Sequence, residues 1–179
     1  MHNNTVKQMV LAGLMLAMGI VLPVTFHMLG LGSTFLPMHI PVLLAGFILD
    51  LPFAFLVGAA TPLLSSLLTG MPPLFPVLPY MVCELAAYAA VASIMSSRKY
   101  NVYLSLLASM LAGRIVAGLA VWVLANLFAA NLPSPPVFVA SAVTTGLPGI
   151  VVQLVLLPPL VVLLNKARFS KKGALQIER

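Results

Sequence analysis

Apolar residues in this chain gather into long blocks parted by short polar or proline-rich breaks. The first block covers about residues 7–26, with Pro23 near its end, and a weakly polar stretch follows over 27–35. The second, 36–49, is short and carries Pro37 and Pro41; Asp50 and Pro52 punctuate it. The third covers 53–68 with Gly58 and Pro62 inside, and the loop 69–76 after it is rigid with proline. A fourth block runs over 77–94 to the polar turn SSRKYN, and a fifth over 102–129 to the break NLPSPP. The sixth covers 137–164, before a basic tail at about 165–179.

No block shows the short alternating segments of a barrel, and open strands cannot satisfy their backbone in hydrocarbon. The pattern therefore predicts an all-α fold, a single membrane-embedded bundle of six transmembrane helices spanning 1–179. Blocks two and three are at or below spanning length, which predicts little tilt, a bend at proline, or partial depth. Lys7 and the apolar run after it have the shape of a signal peptide. Everything downstream is equally apolar, so the block reads as a retained first span.

Composition makes lipid the main solvent. The chain is 61% apolar and 7% charged, with a mean hydropathy of +1.12. A soluble domain carries about 25% charged residues. Cys83 is the sole cysteine, which excludes a disulfide framework.

The net charge of +6 raises the question of nucleic acid, but its distribution answers it. With the N-terminus inside, Lys7, Arg98, Lys99, Lys166, Arg168, Lys171, Lys172 and Arg179 all fall on the cytoplasmic side. The opposite loops, 27–35, 69–76 and 131–136, hold no Lys, Arg, Asp or Glu. That asymmetry is the positive-inside pattern, and it predicts cytoplasmic termini and no nucleic-acid partner.

Two charges remain inside the spans, Glu84 in the fourth and Arg114 in the fifth. Each costs about 2.5–3.5 kcal/mol at a helix centre on insertion scales, so a partner or a cavity is expected. A short turn makes these spans antiparallel neighbours, and a Glu84–Arg114 contact is geometrically reasonable. It reads equally as a structural pair or as part of a ligand site. Tyr80, Glu84 and Tyr88 recur at i, i+4 and share a face. Arg114, Gly118 and Trp122 do the same, with Asn126 nearer the outside, and look like pocket lining. Asn131 reads as a helix cap. His39 stands near the outer end of block two, where a lone histidine is more often a bonded core residue. Thr145, Gly149 and Gln153 form a stripe equally consistent with interhelical packing.

Gly13 and Ala17 make a small-xxx-small spacing on the first span, suited to packing within the bundle or to docking another protein. The histidines are too scattered for a metal site, and no catalytic constellation or phosphate-binding loop is visible. Driven transport would need a motor in another subunit.

The run LPMHIPVLLAGFILDLPFAFLVGAATPLLSSLLTGMPPLFPVLPYMVCELAAYA, from Leu36 to Ala89, resembles the substrate-binding S components of energy-coupling-factor (ECF) vitamin transporters. Gly13 and Ala17 stand in the place of that family's AxxxA, while Asp50 stands where relatives often have glycine. The resemblance implies capture of a vitamin or vitamin precursor from the outside at a prokaryotic plasma membrane. It also implies association with a membrane T component and two ATPases, toppling within the membrane, and release inside. ATP would be used by the partner ATPases, with no cofactor in this chain. Gly13 and Ala17 become the T-component contact. Phe75, Tyr80, Glu84, Arg114, Trp122 and Asn126 become ligand-binding candidates, with His39 beside them. The wording of LPMHIPVLL and SSLLTGMPP is most similar to members assigned to pantothenate, whose carboxylate Arg114 would suit. A folate or a cobalamin-related ligand could use the same cation, and Glu84 would suit a thiamine-like one.

Two other classes compete. An intramembrane enzyme would need Glu84 or His39 as acid or base, yet no organised mechanism surrounds either. A free-standing facilitator or channel would need polar residues along the full depth of one pore, whereas polarity here gathers at middle and outer depth.

Overall fold

The computed structural model describes residues 2–30, 32–128 and 132–177; Leu31, Asn131 and Arg179 are among those outside it. Within it the chain is all helical: α1 (His2–Met28), α2 (Gly32–Phe35), α3 (His39–Ile48), α4 (Leu51–Thr69), α5 (Val77–Ser97), α6 (Val102–Leu127) and α7 (Pro135–Ile177). Five helices, α1, α4, α5, α6 and α7 through Leu164, are long and apolar enough to cross a membrane. The chain is a multi-pass membrane protein.

The short second block has become α3, and it is the core of the bundle. Its sequence HIPVLLAGFI is apolar all round, and a helix without a polar face is one that others surround. Every residue of it except Ile40 is buried. α1, α4, α5 and α7 pack around it. Pro41 falls in its first turn, where the missing N–H would have had no helical partner.

Ten residues cover only about 15 Å, half of a bilayer's apolar thickness, so the helix starts within the bundle at His39 and ends at the Asp50 corner. Its terminal carbonyls need partners there. Ser96 Oγ of α5 donates to Phe47 O at 3.0 Å, and Ser93 Oγ donates to Leu49 O at 2.9 Å. These bonds replace the water that the last turn would otherwise require.

Close backbone approach is written into two glycines. A Cβ on Gly46 would lie 2.8 Å from Ala89 O, and one on Gly58 would lie 2.5 Å from Leu85 O. Both targets are backbone of α5, which therefore sits nearly flush against α3 and α4.

α1 buries Gln8, Ala12, Met15, Gly19 and Pro23, one stripe at helical spacing. Gln8 Nε2 donates to Asp50 Oδ2 at 2.9 Å, and Asp50 N donates to Gln8 Oε1 at 3.2 Å. The pair ties the start of α1 to the α3–α4 corner. Gly13 and Ala17 lie exposed on another side of the helix, and nothing stands within 4 Å of a Cβ built on Gly13.

The up-and-down path collects Lys7, Asp50, Arg98, Lys99 and Lys166 at one end of the bundle. The C-terminal ends of α1, α4 and α6 collect at the other. There the α4–α5 loop is pinned back: Ser65 Oγ donates to Met71 O at 2.8 Å and Ser66 Oγ to Pro72 O at 2.7 Å.

Candidate functional site

A cavity of about 400 Å³ opens at the end of the bundle away from the basic residues. Its walls come from Pro23 and His27 of α1, the segment Leu36 to His39, the pinned loop at Met71, Pro72 and Pro73, and Val77, Tyr80, Met81 and Glu84 of α5. Arg114 of α6 and Phe138, Ser141, Ala142 and Thr145 of α7 complete it. Tyr80 and Phe138 meet edge to face across it, with ring centroids 4.9 Å apart.

Three of the cavity's ionisable side chains, from three helices, meet at its floor. Arg114 Nη1 lies 2.7 Å from Glu84 Oε1, and His39 Nε2 lies 3.7 Å from the same oxygen. Glu84 and His39 are each 3% exposed and Arg114 is 8%. The Arg114–Glu84 contact is a close charge pair without hydrogen-bond alignment, since Glu84 Oε1 accepts no properly directed bond. Arg114 Nη2 and both ring nitrogens of His39 are buried without a hydrogen-bond partner. Such groups cost free energy until something polar reaches them. The ring of His39 is held edge-on against Tyr88, centroid to centroid 5.2 Å.

Of the residues singled out from the sequence, His39, Tyr80, Glu84 and Arg114 come together here. Phe75 does not line the cavity and is 54% exposed on the loop rim. Trp122 does not line the cavity; it lies 54% exposed in a second, more open groove between α6 and α7, with Leu111, Ile115, Gly118, Leu119 and Val139, and Arg114 borders this groove as well as the cavity. Asn126 is exposed, and its Nδ2 donates to Trp122 O at 2.8 Å. Asn131 lies outside the described residues.

The reason for the divergence on α6 is helical geometry. A spacing of four overshoots the 3.6-residue turn by about 40° per step, so Trp122 and Asn126 have rotated off the face that Arg114 presents. Thr145 had only the weak signal of a polar stripe, and it lines the cavity while Gly149 and Gln153 are buried below. Phe138 and Ser141 carried no distinguishing sequence signal, and Met38, Pro72 and Pro73 stood out only within the runs LPMHIPVLL and SSLLTGMPP, with nothing to mark them as cavity lining. Among the described residues no group of three His, Cys, Asp or Glu side chains is gathered as for a metal ion.

The family model for the substrate-specific component of ECF transporters matches residues 7–161. The chain belongs to this family. No significant match is found among curated proteins or among solved structures. As an ECF substrate-specific component, the chain is a transporter subunit, a role that implies a small-molecule substrate and, in the ECF system, T and ATPase partners.

Proposed function

We propose that this chain is the high-affinity capture subunit of an ATP-driven importer in a prokaryotic plasma membrane, and that it takes a vitamin or vitamin precursor. The observation that carries the reading is the set of buried, unpartnered polar atoms, Arg114 Nη2 and His39 Nδ1 and Nε2, at the floor of a one-ended cavity. A ligand that satisfies them gains their hydrogen bonds without competition from bulk water.

Orientation follows from charge. Lys7, Arg98, Lys99 and Lys166 cluster at the end opposite the cavity, so the positive-inside tendency puts the cavity mouth outside and both termini in the cytoplasm. α3 then serves as the sixth membrane-embedded helix, starting at the cavity floor with His39 and ending at the cytoplasmic end beside Asp50 and Gln8. Against a free-standing channel stands the packing beyond the cavity, where Val42, Leu43, Leu85 and Leu106 are fully buried and the hydroxyls of Ser105 and Ser109 are spent on their own helix. Gly13 and Ala17, free of neighbours on α1, are the contact for the T component, with two ATPases behind it.

For the substrate we favour pantothenate. Its carboxylate suits Arg114 Nη2, its hydroxyls suit His39, Tyr80 and Thr145, and its dimethyl carbon suits Pro72, Pro73 and Val77. The cavity of about 400 Å³ has room for a molecule of that size and far too little for a corrin ring. Mass spectrometry of small molecules released from the purified protein is the direct test. Recovery of pantothenate is expected; a protein that carries and binds no vitamin from a broad panel would overturn the capture role.

A further inference from the structure

Resting on this capture reading, we infer that the cavity takes a small monocarboxylate together with one proton, and that His39 holds the proton. The charge inventory carries the inference. Arg114 and Glu84 cancel each other at 2.7 Å, so with an uncharged imidazole the floor is neutral. Glu84 Oε1 takes no directed bond but already lies against the Nη1 side of the guanidinium, whereas Arg114 Nη2 is a cationic donor with no acceptor beside it. A carboxylate on Nη2 makes a charge-assisted bond there. It also adds a negative charge where little water reaches, and an uncompensated buried ion is heavily penalised.

His39 is the group placed to restore the balance. Its Nε2 lies 3.7 Å from Glu84 Oε1, too long for a hydrogen bond and close enough to become a charge-assisted one once the ring is protonated. Its other nitrogen is also unpartnered, so the second N–H of an imidazolium remains for the ligand.

The surrounding elements bring no equivalent. From α5, Tyr88 meets the ring edge-on and Tyr80 stands on the cavity wall, and neither can become a cation. From α6 comes Arg114, charged already. From α1 comes His27, exposed at the mouth, where water can compensate it. α4 contains no ionisable residue, nor does α7 between Pro135 and Leu164.

Calorimetric titration of the full chain in lipid nanodiscs, in two buffers of different ionisation heat near neutral pH, reads the proton directly. The probes are pantothenate, its neutral alcohol pantothenol, and the vitamin acids biotin, lipoate and nicotinate. The expected result is uptake of about one proton per carboxylate bound, with affinity falling about tenfold per pH unit as the proton becomes scarce. Pantothenol should bind with no uptake. In His39→Asn both the uptake and the pH slope should disappear. Carboxylate binding without proton uptake overturns the inference. Uptake that persists in His39→Asn moves the proton to Glu84 and overturns the assignment. Should that variant fail to fold, the contrast between pantothenate and pantothenol on the wild-type protein still decides. Binding of only neutral or cationic vitamins would refute the monocarboxylate while sparing the capture reading; binding of none would sink both.

Discussion

Arg114 Nη1 stands 2.7 Å from Glu84 Oε1, while Nη2 of the same guanidinium has no hydrogen-bond partner. One half of the cation joins α5 to α6 and the other is left for a ligand, so the two functions should separate by mutation. Arg114→Ala or Glu84→Ala alone should lower stability by about 3–5 kcal/mol, because each strands a buried charge. The double variant Arg114→Met with Glu84→Gln should recover most of the thermal stability yet not the affinity for ligand. Thermal unfolding in detergent alongside a binding assay checks both; a double variant that binds as well as wild type would make the pair purely structural.

Two glycines should respond in opposite ways. Gly58→Leu pushes a side chain into the backbone of α5 at Leu85 and should cost about 1–3 kcal/mol or prevent folding. Gly13→Leu meets nothing within 4 Å. It should leave melting temperature and ligand affinity unchanged while abolishing uptake in cells that contain the T component and ATPases. Lost ligand binding in Gly13→Leu would refute a docking role for that face.

Gln8→Leu removes both bonds to Asp50 at the end of the bundle far from the cavity. The expected loss is about 1–3 kcal/mol of stability, since the Asp50 groups lose their protein partner. Ligand affinity measured at a temperature where the variant is folded should not change, and a large drop would reveal coupling along α3.

Thr145→Val should weaken ligand binding roughly two- to tenfold, the equivalent of about 0.5–1.5 kcal/mol for one hydrogen bond. Trp122→Ala should not weaken it, because the indole does not line the cavity. Equilibrium binding on both variants tests whether the face of α6 defined by Arg114 is the one that matters.

The membrane bundle was legible because a nearly uncharged chain has one physical solution, and the charged floor because two ions in apolar spans had to meet. Tyr80 and Glu84 were readable as one face over a single turn. Extending the same rule through Gly118 to Trp122 and Asn126 carried it too far around α6. The place of Pro72, Pro73 and Met38 in the cavity was hidden for another cause. They line the cavity because Ser65 and Ser66 pin the α4–α5 loop and because α3 starts beside it, and such long-range placement leaves no periodic trace. The centrality of α3 was hidden too, since a helix that is apolar on all sides looks the same facing lipid or facing its neighbours.

The caps on α3 bear on how the chain is made. The hydroxyls that close its last turn belong to Ser93 and Ser96, synthesised more than forty residues after Phe47 and Leu49. Until that later helix leaves the ribosome, the nascent segment is too brief to rest across the bilayer and has open carbonyls besides. Its lodging in the membrane is therefore a late event of biogenesis, and a polypeptide truncated before Ser93 should leave this segment unanchored.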